Sequence, residues 1–234
     1  MKNLNSFLDY TSLNQSDTPQ TITDFTNRIV EAKPAVAAVC VYSAMVEAAG
    51  NALVDTNIAI AAVCGGFPAP QTFVEVKMLE VAMAVENGAD EIDIVANIGA
   101  MLDGDFDLAQ SEVEIIAAEI DGDALLKVII ESGVLKDENL IYRASMCAMR
   151  GGADFVKSST GKCGDGATPE AVRTICCAIK DFYYETGKRV GIKVSGGIST
   201  REQAESYYDI VEEVLGKEWL EPEFFRIGTS RLPL

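Results

Sequence analysis

The feature that most restricts this chain is a repeated alternation of short apolar runs with longer stretches of helical periodicity. Eight apolar runs read as strands, at 7–11, 36–42, 58–64, 91–96, 125–131, 154–159, 190–195 and 224–228. Seven helical stretches fit between them, at 21–33, 43–50, 70–87, 105–120, 137–150, 168–186 and 200–215. Strands that alternate with helices pair in parallel, because a parallel neighbour needs a long crossover to return the chain to the same edge. Eight such strands in 234 residues, close to the roughly 250 typical of the architecture, predict a single (β/α)8 TIM barrel over residues 1–234. Two helix starts are explicit. Thr168-Pro169-Glu170 offers an N-cap followed by a proline at the first helical position, and Ser199 and Thr200 precede Glu202. Only six residues follow Gly228. The eighth helix is therefore expected to be short or missing, either because the barrel lacks it or because the chain is shortened relative to the full gene product.

Strand alternation assigns the faces. Ile92, Ile94, Val128, Ile130, Ile192 and Val194 should point out to the helices, which leaves Asp93, Lys127, Ile129, Glu131, Lys157 and Lys193 on the inner face. So many charges do not make a simple apolar barrel core. Lys127 and Glu131 read as a structural ion pair. Lys157 and Lys193 carry more information. Each lies in an apolar strand that ends in a Gly-containing loop, and the two are one βα unit apart. A buried ammonium needs water or a partner. Two together form a site in which one cation lowers the pKa of the other and activates it as a nucleophile. Bringing a lysine from about 10.4 to about 7–8 takes roughly 3–5 kcal/mol, which desolvation and a second ammonium can supply together. Asp93 could move protons or hold a lysine in place, and the plain alternative for Lys157 is a buried ion pair with Asp93. Gly196-Gly197 and Gly228-Thr229-Ser230 follow the last two strands, where barrels bind phosphate through backbone N–H groups, although Gly-Gly alone also marks a simple turn.

Composition narrows the function. A net charge of -17 argues against nucleic-acid or anionic-membrane partners, both of which need a basic face. The N-terminus has no signal-peptide core and no apolar run is long enough to span a bilayer, so the expected location is the cytoplasm. Six cysteines without a secretion signal suggest free thiols, with Cys176-Cys177 read as helix core. The chain has no histidine and no Cys-x-x-Cys pair, which excludes His-based catalysis and disfavours a zinc site. No metal or cofactor is expected.

Taken in order, several blocks resemble the deoxyribose-phosphate aldolase family, class I aldolases on a (β/α)8 barrel. They are Leu8-Asp9-Tyr10-Thr11-Ser12-Leu13, Ala38-Val39-Cys40-Val41-Tyr42, Gly66-Phe67-Pro68 and Gly88-Ala89-Asp90-Glu91-Ile92-Asp93. Leu126-Lys127-Val128-Ile129-Ile130-Glu131 follows, then Lys157-Ser158-Ser159-Thr160-Gly161-Lys162, the most specific match. Lys193 before Gly196-Gly197, and Phe225-Arg226-Ile227-Gly228, complete a series that spans nearly the whole chain. The resemblance implies metal-free, reversible cleavage of 2-deoxy-D-ribose 5-phosphate to D-glyceraldehyde 3-phosphate and acetaldehyde, in deoxyribonucleotide catabolism. It implies that Lys157 forms the Schiff base, that Lys193 depresses its pKa, and that Asp93 and Lys193 relay protons. Lys162, Gly196, Gly197, Gly228 and Ser230 would frame the phosphate. Asp9, Thr11 and Cys40 would line the substrate pocket, with core packing as the alternative for Cys40 and a cap or ion pair as the alternative for Asp9. The partners implied are small phosphosugar and aldehyde molecules, with a homodimer as the candidate assembly.

Three departures from the family pattern stand out. Ser199 stands where the family usually has Arg, and Arg231 where a small polar residue is usual. Arg231 is accordingly expected to supply the phosphate charge that position 199 lacks. The chain ends Leu232-Pro233-Leu234, without the terminal tyrosine that assists proton transfer in some members, so slower proton exchange at the enamine carbon is expected. Two other readings fit less well. A transaldolase-like or fructose-bisphosphate-aldolase-like barrel does not account for the Lys-Ser-Ser-Thr-Gly-Lys block and the second strand lysine. A non-catalytic phosphosugar-binding barrel has no need of a desolvated amine.

Overall fold

The computed structural model describes residues 2–32 and 35–233. Eight parallel strands close into a barrel in the order β1 to β8. They are β1 (Leu8–Thr11), β2 (Ala38–Tyr42), β3 (Ala59–Cys64), β4 (Glu91–Val95), β5 (Leu125–Ile129), β6 (Phe155–Lys157), β7 (Gly191–Ser195) and β8 (Phe225–Thr229). The barrel closes through β1 and β8, with Asp9 opposite Gly228. Across β4 to β7, Asp93 faces Lys127, Ile129 faces Lys157, and Lys157 faces Lys193.

Nine α-helices lie among the described residues. They are α1 (Pro19–Glu31), α2 (Val46–Ala52), α3 (Val74–Glu86), α4 (Ile98–Leu102), α5 (Phe106–Ile120), α6 (Ser132–Leu135), α7 (Glu138–Arg150), α8 (Pro169–Thr186) and α9 (Arg201–Leu215). Four of the seven expected helices, α5, α7, α8 and α9, lie within one residue of expectation at both ends; the expected end of the first, at Lys33, lies outside the described residues. The first starts earlier than expected because Thr18 caps Pro19, the same device that Thr168 and Pro169 provide for α8. Residues 70–73 are loop rather than the first turn of α3, whose N-cap position is Phe73. Residues 43–45 form a 3-10 turn before α2. The short α4 and α6 sit between strand and main helix in the fourth and fifth units, where a plain βα connection is expected. Among the described residues no helix follows β8.

The outward strand residues carry the apolar core. Ile92, Ile94, Val128, Ile192 and Val194 are all at most 1% exposed and meet the inner faces of the helices. On α8 the buried face is Val172, Ile175, Cys176 and Ile179, spaced three or four apart. Burying each such side chain stabilises by roughly 1.5–3 kcal/mol, so Ile175→Ala would open a cavity between helix and sheet. The reading of Cys176-Cys177 as a core pair holds for one of the two. Cys176 is buried and Cys177 is exposed, since adjacent helical positions point about 100° apart. The six cysteines are unpaired. No described helix is long and apolar enough to cross a membrane.

Candidate active site

Inside the barrel, β1, β4, β5, β6, β7 and β8 each send charged side chains into one buried layer. Asp93 stands at its junction. Its Oδ2 accepts hydrogen bonds from Lys157 Nζ at 2.7 Å and Lys193 Nζ at 2.6 Å, and its Oδ1 accepts from Lys127 Nζ at 3.2 Å. Lys193 Nζ also lies 2.5 Å from Asp9 Oδ2. Asp9 Oδ1 accepts from Arg226 Nη1 at 2.8 Å, and Arg226 Nη2 donates to Glu91 Oε1 at 2.8 Å. Glu91 closes the circuit by accepting a short hydrogen bond from Lys127. Asp93, Lys193, Asp9, Arg226, Glu91 and Lys127 therefore form a ring of alternating charge, three carboxylates against three cations.

Lys157 is the seventh charge-bearing group of this layer and has no carboxylate of its own. It shares an oxygen with Lys193, and at 3% exposure it reaches the cavity above, which Lys193 lines as well. Burial disfavours its ammonium; Asp93 opposes that, Lys193 reinforces it, and the result holds Lys157 below the ordinary lysine value. Lys193 behaves oppositely. Burial pushes it down, but Asp9 and Asp93 overcome the burial and hold it well above the ordinary value. Burial of Asp93 is likewise overridden, by Lys127, Lys157 and Lys193, so that its carboxyl stays ionised far below the usual range. The arrangement thus separates two chemically identical side chains: one fixed cation and one amine whose proton is held less tightly.

Two residues without bulk make room for this layer. Phe155 lies beneath Lys127 and Arg226, its ring 5.9 and 5.8 Å from their charged groups. A Cβ on Gly191 would come within 2.4 Å of that ring. A Cβ on Gly228 would stand 2.9 Å from Ser195 Cβ and 3.3 Å from Lys193 Cε, so glycine there keeps the Lys193 side chain clear.

Above the ring, at the C-terminal mouth, opens a cavity of about 260 Å³. Of the residues expected at the site, Thr11, Lys157, Lys162, Lys193, Gly196, Gly197, Gly228, Ser230 and Arg231 line it. Asp93 lies one step below, under Lys157. Asp9 and Cys40 do not line the cavity and so leave the substrate-pocket reading for its alternatives, ion pairing and core packing. Asp9 is drawn into the ring by Lys193 and Arg226, and Cys40 is 1% exposed within β2, its thiol pushed up by burial. Ser199 turns away from the cavity. Its N–H and hydroxyl both meet Gln203 Oε1 in the capping arrangement of α9, whose N-cap is Thr200.

The expected Lys127–Glu131 pair does not form. β5 ends at Ile129, and Glu131 takes a left-handed backbone (φ 48°, ψ 57°) that swings it out of the strand alternation. Glu131 instead accepts from the Ser159 hydroxyl at 2.7 Å and from the Thr160 N–H and hydroxyl at 3.1 and 2.5 Å. It thereby fixes the loop after β6 that carries Thr160, Gly161 and Lys162 into the cavity. Lys162 Nζ in turn donates to the Leu13 carbonyl at 2.6 Å and ties this loop to the one after β1. The N–H groups of Thr160, Gly161 and Lys162 are all taken by side chains of the same region. Among the described residues no protein acceptor meets the N–H groups of Gly197, Ile198 or Ser230, which leaves these for an anion.

Glu91, Lys127 and Arg226 complete the ring, and Glu131 and Thr160 order the mouth; sequence reasoning did not place them in the site. The signal for two of them was present. Glu91 lies two residues before Asp93, and Arg226 two before Gly228, so strict alternation puts both on the inner face.

The DeoC/LacD family aldolase model matches residues 6–214. A human deoxyribose-phosphate aldolase is 42% identical over 84% of this chain and 62% of its own length, and a mouse enzyme of the same name matches to the same extent. A Caenorhabditis elegans relative is 39% identical over 97% of this chain and 77% of its own. The chain thus spans less than two thirds of the length of the two mammalian relatives. Among solved structures, one titled "QR15, an Aldolase" superposes with a TM-score of 0.81 at 30% identity, covering 98% of this chain and 92% of that one. A tetrameric deoxyribose phosphate aldolase from Aeropyrum pernix shares the fold, with a TM-score of 0.76 at 24% identity over 97% of this chain and 86% of its own.

Proposed function

This chain belongs to the DeoC/LacD family of aldolases, and on that premise we propose that it is a carbon–carbon lyase that cleaves 2-deoxy-D-ribose 5-phosphate through a Schiff base on Lys157. The observation that carries the reading is the paired-lysine geometry: one amine at the cavity floor, beside a fixed cation, on a shared carboxylate oxygen. The neutral Lys157 amine attacks the C1 aldehyde of the open-chain sugar, and the carbinolamine loses water to give a protonated imine. The imine is an electron sink. The C2–C3 bond breaks toward it as the C3 hydroxyl gives up its proton. D-glyceraldehyde 3-phosphate leaves, and an enamine of two carbons remains on Lys157. Protonation at C2 and addition of water then release acetaldehyde and restore the amine. Asp93, with Lys193, is placed to receive and return those protons, since both touch the Lys157 nitrogen or share its oxygen partner. In the resting site Lys193 is charged and disfavours a second ammonium on Lys157.

The phosphate sits on the far side of the cavity. Gly197, Ile198 and Ser230, whose N–H groups meet no protein acceptor among the described residues, line the cavity there, and Lys162 and Arg231 supply positive charge. With Ser199 engaged by Gln203, Arg231 takes over the guanidinium role at this site. Acetaldehyde and the phosphosugar are its small-molecule partners, and a homodimer is its assembly. Unpaired cysteines fit a reducing cytoplasm, where the reaction serves deoxyribonucleotide catabolism.

Steady-state cleavage of the phosphorylated and the free sugar tests this reading. The wild-type protein should prefer 2-deoxyribose 5-phosphate, and Arg231→Ala should raise KM for it about tenfold while leaving the free sugar unaffected. An unchanged KM in Arg231→Ala would remove that residue from the phosphate site. Absence of cleavage by the wild-type protein would overturn the proposed activity.

A further inference from the structure

The barrel floor holds two charged residues that the reaction does not touch. Arg226 and Glu91 lie at most 7% exposed, outside the residues that line the cavity, yet both are members of the ring that contains Asp93 and Lys193. We propose that Arg226 and Glu91 are positioning residues that set the charge state of Lys157 from the far side of the ring. The proposal rests on Lys157 being the nucleophile.

Charge is balanced within one buried layer. β1 supplies Asp9, β4 Glu91 and Asp93, β5 Lys127, β7 Lys193 and β8 Arg226; β2 adds only the thiol of Cys40, and β3 (Ala59–Cys64) has no charged residue. Three carboxylates meet three cations and the ring is neutral without Lys157. A proton on Lys157 would leave one uncompensated positive charge in a region of low dielectric, so the neutral amine is favoured. The balance is held by the pair on the far side of the ring. Arg226 bonds both Asp9 and Glu91, and Glu91 bonds both Arg226 and Lys127. Were Arg226 absent, the ring would carry a net negative charge, and Lys157 would neutralise it by keeping its proton. Were Glu91 absent, the excess would be positive, and Lys157 would lose its proton more readily. Arg226 also keeps Asp9 extended toward Lys193, which preserves the fixed cation beside the nucleophile.

The test is the pH dependence of kcat/KM for 2-deoxyribose 5-phosphate cleavage in wild type, Arg226→Gln, Glu91→Gln and the double variant. Its rising limb reports the free-enzyme amine. A unit charge at ~10 Å and an effective dielectric of ~20 moves a titration by roughly one pH unit. Arg226→Gln should shift the limb upward by about one unit with the alkaline plateau within about threefold of wild type. Glu91→Gln should shift it downward, and the double variant should return it close to wild type. A limb that stays in place in either single variant, with activity lowered evenly at all pH values, would overturn the proposal and leave the pair a purely structural role. If Arg226→Gln does not fold, Glu91→Gln decides alone. Wild-type protein without any cleavage activity would instead count against the proposed function itself, so the two failures are distinct.

Discussion

Replacing Lys193 by Met removes the cation next to the nucleophile, and the structure sets the size of the effect. Lys157 and Lys193 bond the same Asp93 oxygen at 2.7 and 2.6 Å, so their nitrogens are no more than about 5 Å apart. Two unit charges at ~5 Å in an effective dielectric of ~20 repel by about 3.3 kcal/mol, equivalent to roughly two pH units on Lys157. The direction is upward. Without Lys193, Asp9 and Asp93 lose their shared cation, and the Lys157 ammonium becomes the nearest replacement for Asp93. At any pH below the limb, about 100-fold less neutral amine remains, and kcat/KM should fall by that factor. The loss should be recovered in large part above the shifted limb. Stability should fall by less than the roughly 3–5 kcal/mol typical of a broken buried pair, because Lys157 takes up a proton in compensation. The assay is a pH–rate profile of cleavage joined to urea unfolding at pH 7. A loss of activity that is constant with pH, with the limb where it stands in wild type, would refute electrostatic tuning and leave Lys193 with a contact role alone.

Lys157→Met should abolish cleavage while leaving stability at pH 7 unchanged or raised by up to ~2 kcal/mol, since a desolvated amine is exchanged for a thioether of similar length; a fall of that size in urea unfolding would contradict its reading as the group in excess. Glu131→Ala strips three acceptor contacts from the β6 loop and should lower kcat/KM at least tenfold, with Glu131→Gln retaining most of the activity; equal loss in both would show that the carboxylate charge, not loop placement, matters. Asp9 and Asp93 are held below the ordinary carboxylate range: burial alone would raise them, but Lys193 and Arg226 around Asp9, and Lys127, Lys157 and Lys193 around Asp93, prevail. Groups depressed in the folded state contribute stability that is complete above the unfolded value of about 3.9 and is lost as pH falls through the folded one. Stability should therefore drop below about pH 4, and Asp9→Asn should make that drop shallower in a pH series of unfolding midpoints.

Much of this molecule is visible in its sequence, because parallel strands buried on both faces write continuous apolar runs and the connecting helices write a period of 3.6. Each of the eight strands appears where it is expected: seven are one to three residues shorter than the apolar run, and β8 keeps its length but is shifted by one residue. The strand lysines and Asp93 are recognisable for a related reason: a charge at an inward position is costly unless it is used. What alternation does not reveal is where a strand stops. Glu131 has the inward parity of Lys127, but two residues past the last paired residue the backbone turns left-handed and the parity no longer applies. The short α4 escapes because five residues are too few for a periodic pattern, although Asn97, whose side chain accepts from Ala100 N–H, is a cap that can be read. The closed ring through Arg226 and Glu91 joins β1, β4, β5, β7 and β8, and no local pattern specifies which inward charges meet across a barrel.

The central claim is that Lys157, and not Lys193, is the nucleophile. The measurement that tests it most directly is borohydride trapping in the presence of acetaldehyde, followed by peptide mapping. A stable two-carbon adduct on Lys157, absent from Lys157→Ala, is the predicted result. An adduct on Lys193 alone would contradict the assignment of the two lysines, and no adduct on either, under conditions in which the phosphosugar binds, would contradict Schiff-base catalysis altogether.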